Sequence, residues 1–159
     1  MKSANHMLFS KAETSTIMLP SESNALGNVH GGEILKIMDN TAVIAAMKHA
    51  CGDAVTARID EVIFHSPIHI GSIVTCTAQV AYAGRTSMQV FVIVAVHDLK
   101  EFSEPNIALT AFFTMVHLDQ KGEPSKVPKL IPDTEEEKKV YLEGEKKYFE
   151  IRCRKSKRL

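Results

Sequence analysis

The residues best suited to chemistry lie close together, in the segment from Asn24 to Asp39 (NALGNVHGGEILKIMD). It holds a carboxamide, a glycine pair and a carboxylate about two helical turns beyond the glycines. Gly31 and Gly32 open a helical pattern, and the first N–H groups of a helix have no partner inside it. Those groups point beyond the N-terminus and favour negative charge there. A carbonyl seated at that spot gains hydrogen bonds as it becomes an oxyanion. In a dry site each donor stabilises the transition state by about 3–4 kcal/mol. Glycine also lets a ligand approach without meeting a Cβ. Asp39 has Leu35, Ala42 and Val43 as helix neighbours, so its carboxylate borders apolar surface. Desolvation is expected to strengthen it as a base, which suits proton abstraction from water. No serine or cysteine of the nucleophile-elbow type accompanies it, so direct attack by water is the simpler chemistry. Taken singly, a glycine pair is most often a turn, a mid-helix aspartate most often faces solvent, and His30 reads as a packing or capping histidine. The combination carries the reading.

These residues need elements to position them. A helical pattern runs from Glu33 to Ala50 and stops at Gly52, a C-terminal cap. Ile34, Leu35, Ile37, Met38, Ala42, Val43, Ile44, Ala45, Ala46, Met47 and Ala50 cover nearly all of its circumference, which marks a buried helix. Before it, Thr14 to Leu19 reads as a short strand. After it the period falls toward 2, and residues 55–64, 72–81, 87–96 and 107–118 read as strands rich in Val, Ile, Thr and Phe. Ala83-Gly84-Arg85 suits a hairpin turn, Pro67 to Gly71 a bend, and Asp119 to Pro132 a loop. Thr134 to Phe149 reads as an exposed helix capped by Asp133 or Thr134, with a basic tail from Arg152 to Leu159. One buried helix within a long antiparallel sheet gives an α+β architecture, the sheet wrapped around the helix. The helix stays apolar on its outer side, which predicts a partner subunit.

A second segment, Gly84-Arg85-Thr86-Ser87, combines a tight turn with a guanidinium fork and two hydroxyls, a set suited to phosphate. Alone it reads more readily as an ordinary hairpin turn with a solvated arginine. Together with Asn24, Gly27, Val29, Gly31-Gly32, Asp39, the run Val55 to Asp60, Phe64, Pro67, Gly71 and the stretch Pro124 to Pro132, it resembles the acyl-CoA thioesterases of the hot-dog superfamily. The branch is that of bacterial short-chain and eukaryotic cytosolic acyl-CoA hydrolases, and the resemblance covers residues 13–135. His30 stands where that family often carries an aromatic. The resemblance implies a hot-dog fold plus a C-terminal helix, and hydrolysis of acyl-CoA by water. It implies Asp39 as general base, Asn24 as the positioner of water or thioester, Gly32 as N–H donor to the thioester oxygen, and Thr56 as a support for the water. Gly84, Arg85, Thr86 and Ser87 become the CoA-binding residues, while the basic tail (Arg152, Arg154, Lys155, Lys157 and Arg158) reads as a solvated, disordered end more readily than as a contact for a CoA phosphate. It further implies a homo-oligomer, a trimer of dimers, with Asn24 and Asp39 meeting from different subunits. No cofactor is needed beyond the CoA of the substrate.

The bulk numbers bound the rest. The chain has 159 residues, enough for one well-buried domain, with 45% hydrophobic and 24% charged residues. Lys plus Arg and Asp plus Glu both count 19, so no net field favours nucleic acid or an anionic membrane. Cys51, Cys76 and Cys153 form no metal-binding spacing, and no metal site is expected. With no apolar leader in the first residues, a cytoplasmic protein is expected. Residues 1–12 read as a flexible or vector-derived start, 13–135 as the hydrolase domain and 136–159 as the C-terminal helix and tail. Two alternatives use the same fold. A non-catalytic acyl-CoA sensor would bind without releasing thiol. A dehydratase would need a histidine base, for which His30, His65 and His69 are available. Phe64, Phe91, Phe112 and Phe113 suit either the core or an acyl tunnel.

Overall fold

The computed structural model describes residues 4–97, 99 and 104–156. Its central helix α1 spans Gly31–Ala50, with His30 as N-cap, Glu33 in the first turn and Lys48 and His49 in the last. That charge order suits the helix dipole. The helix ends where Cys51 turns left-handed (φ 54°), so the reversal expected at Gly52 falls one residue earlier. Gly52 is required for packing instead, since a Cβ there would come within 2.6 Å of the His117 ring.

The sheet has five antiparallel strands, β2 (Lys11–Ile17), β3 (Ala54–Phe64), β4 (Ile73–Ala83), β5 (Ser87–His97) and β6 (Asn106–His117), in the order β2-β4-β5-β6-β3. Val74, Cys76, Ala78 and Val80 of β4 and Met88, Val90, Val92 and Val94 of β5 are fully buried, every second residue, as a sheet with one core face requires. Across from them Met38, Ala42, Ala45 and Ala46 of α1 are also fully buried. The small alanine side chains let the helix axis lie close to the sheet. The expected α+β hot-dog architecture is present.

β3 forms one edge of the sheet. Its pairing with β6 is broken twice, between Thr56 and Arg58 and between Asp60 and Ile63, and Glu61 there has a φ of 54°. Val55, Ile59, Ile63 and Phe64 on this edge strand are exposed, as are Ile44 and Met47 of α1.

The outer face of the sheet carries α2, Glu135–Ser156. Thr134 caps it by accepting from the Glu137 N–H, while the Glu137 carboxylate accepts from the N–H groups of Asp133 and Thr134. This helix is longer than expected and is not simply exposed. Lys147, Tyr148 and Ile151 are buried, and the helix packs on β4 and β5. Tyr82 of β4 sits among Tyr141, Tyr148 and Phe149 with ring centroids 5.0–6.2 Å apart. Two glycines permit the docking. A Cβ on Gly144 would meet Ala81 at 2.6 Å, and one on Gly84 would meet the Tyr148 ring at 2.4 Å.

Residues 4–12, expected to lie outside the fold, are part of it. Ala4–His6 forms a strand, β1, paired in parallel with β7, Lys129–Ile131, inside the segment expected to be only a loop. Met7 is fully buried. Behind it the buried His49 ring joins three segments: the Ser10 hydroxyl lies 2.7 Å from Nδ1, and Nε2 donates to the Pro128 carbonyl at 2.8 Å. Among the described residues no helix is long and apolar enough to cross a membrane.

Candidate active site

The turn before α1 fixes Asn24. Its backbone N–H donates to the Asn28 carbonyl at 2.7 Å, and its Oδ1 accepts from the N–H groups of Leu26 (2.9 Å) and Asn28 (3.2 Å). The acceptor end of the carboxamide is therefore spent on its own loop. The donor end, Nδ2, makes no hydrogen bond among the described residues. Asn24 lines a pocket of about 210 Å³ at the opening of α1, together with Gly31, Ile34, Phe64, Pro67 and Leu109. Asn28 and Ser66 line it as well, so the pocket is part polar and part apolar, with the Asn24 amide donor fixed at its wall.

Gly32 differs from expectation. Its N–H is engaged, donating to His30 Nδ1 at 2.9 Å as the first hydrogen bond of the helix cap. The residue is exposed, so an incoming carbonyl oxygen can reach this N–H only by replacing the imidazole.

Asp39 lies eight residues beyond Gly31, about 12 Å along the axis, and is half-buried. Its Oδ1 accepts from the Thr56 hydroxyl at 2.5 Å. Thr56 sits on β3, pointing back at the helix, with Met115 Sδ on its other side at 3.4 Å. The strand therefore holds one carboxylate oxygen and leaves Oδ2 without a hydrogen bond among the described residues. One oxygen anchored and one open is the arrangement a general base for water needs. Within one chain Asp39 and Asn24 are not brought together, and Asp39 does not line the Asn24 pocket.

The Gly84–Ser87 turn joins β4 to β5. The Gly84 N–H donates to the Ser87 carbonyl (2.8 Å), while the Arg85 and Thr86 carbonyls accept from Val127 (3.0 Å) and His117 (3.0 Å). The Gly84 N–H is thus not available to a phosphate, and Gly84 is needed for the approach of Tyr148. The Arg85 guanidinium is exposed. Thr86 and Ser87 line a second pocket, of about 500 Å³, on the outer face of the sheet beside Tyr148, Ile151 and Arg152. Arg152, read from sequence as part of a basic tail, is helical and donates to the Tyr148 hydroxyl at 2.9 Å. Sequence reasoning placed Arg152 in a solvated tail and missed its link to Tyr148. Its trace is the i, i+4 spacing of Tyr148 and Arg152 on an otherwise charged helix. Lys157 and Arg158 of the same tail lie outside the described residues.

Other nucleophiles and bases fit less well. Burial pushes the Cys76 thiol up to about 11, against a weaker opposing hydrogen bond from Thr41, so it stays protonated and unreactive. The buried Ser10–His49 pair ends on a backbone carbonyl rather than a carboxylate and is fully enclosed. His30 caps α1, His65 meets Thr110 and His69 donates to Asn28 Oδ1; no carboxylate bonds any of the three among the described residues.

A model of the thioesterase superfamily matches residues 26–101. A Bacillus subtilis protein named as an uncharacterized acyl-CoA thioester hydrolase is 36% identical over 128 residues, which cover 80% of this chain and 74% of that protein. The cytosolic acyl coenzyme A thioester hydrolase of Mus musculus is 34% identical over 152 residues, 95% of this chain. The chain spans about two fifths of the length of the mammalian relatives it matches. Among solved structures, an acyl-CoA hydrolase from Staphylococcus aureus in complex with butyryl coenzyme A and coenzyme A aligns with a TM-score of 0.90 at 32% identity, covering 97% of this chain and 93% of that one. Alanine variants of that hydrolase at an asparagine, an aspartate and a threonine have also been solved; these three residues follow one another at intervals of 15 and 17. A hexameric acyl-CoA thioesterase aligns with a TM-score of 0.88 at 35% identity, covering 98% of both chains.

Proposed function

Because the chain belongs to the thioesterase superfamily, we propose that it hydrolyses acyl-CoA thioesters to a carboxylic acid and CoA. The observation that carries this is the Asp39 carboxylate anchored on one oxygen by Thr56 and open on the other. The spacing of the altered residues in the Staphylococcus aureus hydrolase supports it, because Asn24, Asp39 and Thr56 are the same residue types at the same intervals. Asp39 takes a proton from water, and the hydroxide oxygen bonds to the thioester carbonyl carbon. The tetrahedral intermediate then expels sulfur, and the proton held by Asp39 goes to the departing thiolate. Nδ2 of the partner subunit's Asn24 and the Gly32 N–H stabilise the oxyanion, the latter once the carbonyl has displaced His30.

Since one chain keeps Asn24 away from Asp39, the site is completed by Asn24 of the partner subunit. The exposed apolar residues of β3 and α1 supply the dimer face, and the likeness to a hexameric thioesterase supports a trimer of such dimers. Arg85, Thr86 and Ser87 contact the nucleotide end of CoA, while Gly84 serves by making room for Tyr148. The likeness to a mammalian enzyme named as cytosolic supports a cytoplasmic setting.

Release of free thiol from a series of acyl-CoAs tests the proposal. Asp39→Asn should lower kcat by at least about 10²-fold with the fold intact. Near wild-type turnover in that variant would remove Asp39 from the mechanism. Tight acyl-CoA binding without thiol release would make the protein a sensor.

A further inference from the structure

We propose that α2 is part of the substrate site, with Arg152, oriented by Tyr148, binding a phosphate at the nucleotide end of acyl-CoA. This rests on the hydrolase reading for its ligand. It stands on four observations of the outer-face pocket. First, Tyr148 is locked in place, because its ring occupies the space over Gly84 that any side chain would fill. The helix and the turn are therefore one rigid unit at this point. Second, Arg152 lies one helical turn on, its Nη1 donating to the Tyr148 hydroxyl at 2.9 Å and its guanidinium 5.5 Å from the ring centroid. A surface arginine ordinarily loses side-chain entropy when it clamps a ligand; this one is already held. Its other N–H groups have no acceptor among the described residues, which leaves donors for a phosphate.

Third, the hydroxyls of Thr86 and Ser87 line the same pocket and make no hydrogen bonds among the described residues. Fourth, the rest of the wall joins an apolar stretch (Ala57, Val116, Pro124 and Ile151), suited to a flat base, to the mutually hydrogen-bonded Gln89 and Thr114 side chains. A fixed cation, two unspent hydroxyls and an apolar wall are the requirements of a phosphorylated nucleoside. The pocket is also well placed. Ala57 follows Thr56, the residue that holds Asp39, so the outer pocket and the reacting carboxylate flank consecutive residues of one strand.

The test compares three thioesters of the same acyl group: on CoA, on dephospho-CoA, which lacks the 3′-phosphate, and on pantetheine, which lacks the nucleotide. Arg152→Ala should raise KM for acyl-CoA about ten-fold with kcat within two-fold, as expected for loss of one charge-assisted contact. Acyl-pantetheine kinetics should not change, and acyl-dephospho-CoA should show which phosphate the guanidinium reaches. Tyr148→Phe keeps the ring over Gly84 but removes the anchoring hydroxyl, and should raise KM for acyl-CoA about three-fold. An unchanged KM for acyl-CoA in Arg152→Ala overturns the proposal. So does an equal rise for acyl-pantetheine, which would reveal a purely structural role. Calorimetric titration with CoA separates this inference from the hydrolase reading. A wild-type protein that binds CoA yet releases no thiol from acyl-CoA, with binding weakened by Arg152→Ala, would leave the site standing and the enzyme reading lost. Failure of the wild type to bind CoA would end both.

Discussion

At the scale of single residues, the site depends on how side chains hold one another. Thr56 touches Asp39, so Thr56→Ala should lower kcat by about ten-fold and leave KM nearly unchanged, a smaller loss than for Asp39→Asn. Steady-state kinetics on the pair, with the double variant no worse than Asp39→Asn alone, would establish that Thr56 acts through Asp39. His30→Ala removes the cap on Gly32 and should cost about 1 kcal/mol of stability, read as a lower urea midpoint. His49 gives a pH prediction. Burial lowers its pKa from the ordinary 6.5, the Pro128 carbonyl opposing less strongly. The unfolded ring takes up its proton near 6.5 and the folded ring only at lower pH, so the unfolded state binds more protons in that window. Stability should therefore decline as pH falls below 6.5 and level off once the folded ring protonates. A His49→Gln variant whose urea midpoints at pH 7.5 and 5.5 differ as much as those of the wild type would refute this. Asn24, Asp39 and Thr56 were legible in the sequence, because a family pattern fixes type and spacing. The engagement of the Gly32 N–H was not, because it depends on the rotamer of the neighbouring histidine.

At the scale of elements, α2 shows both what periodicity reveals and what it hides. Its charged residues suggested an exposed helix. Its buried stripe, Tyr148 and Ile151 among lysines and glutamates, is too narrow to stand out against them. The short strands β1 and β7 were hidden for a different reason: three residues carry no measurable alternation, and their pairing joins segments more than a hundred residues apart. The long strands and α1 were visible because one core face imposes a period on each. Gly144 offers a test of sign. In a free helix Gly→Ala stabilises by up to about 1 kcal/mol. Here the added Cβ would sit 2.6 Å from Ala81, and overpacking of that kind costs about 1–3 kcal/mol. Gly144→Ala should therefore lower the melting temperature; a rise would show that α2 does not press on β4 as described.

At the scale of the whole molecule, the proposed site is incomplete within one chain, since Asp39 does not line the Asn24 pocket. The edge strand β3 leaves Val55, Ile59 and Ile63 uncovered and its outer backbone row unpaired, the kind of surface a second subunit closes. Ile59→Lys should shift the protein toward the monomer in light scattering and reduce thiol release in parallel. A fully active monomer would contradict the shared site. The close approach of α1 to the sheet has a consequence for selectivity. Ala42, Ala45 and Ala46 are fully buried against the sheet, so the space open to a hydrocarbon tail lies at the opening of the helix and not beneath its middle. In the proposed dimer, the ruler for tail length would be the place where Phe64 borders the Asn24 pocket, beside the seam between subunits. Redesign for longer or shorter acids should therefore begin at that seam and leave the helix untouched.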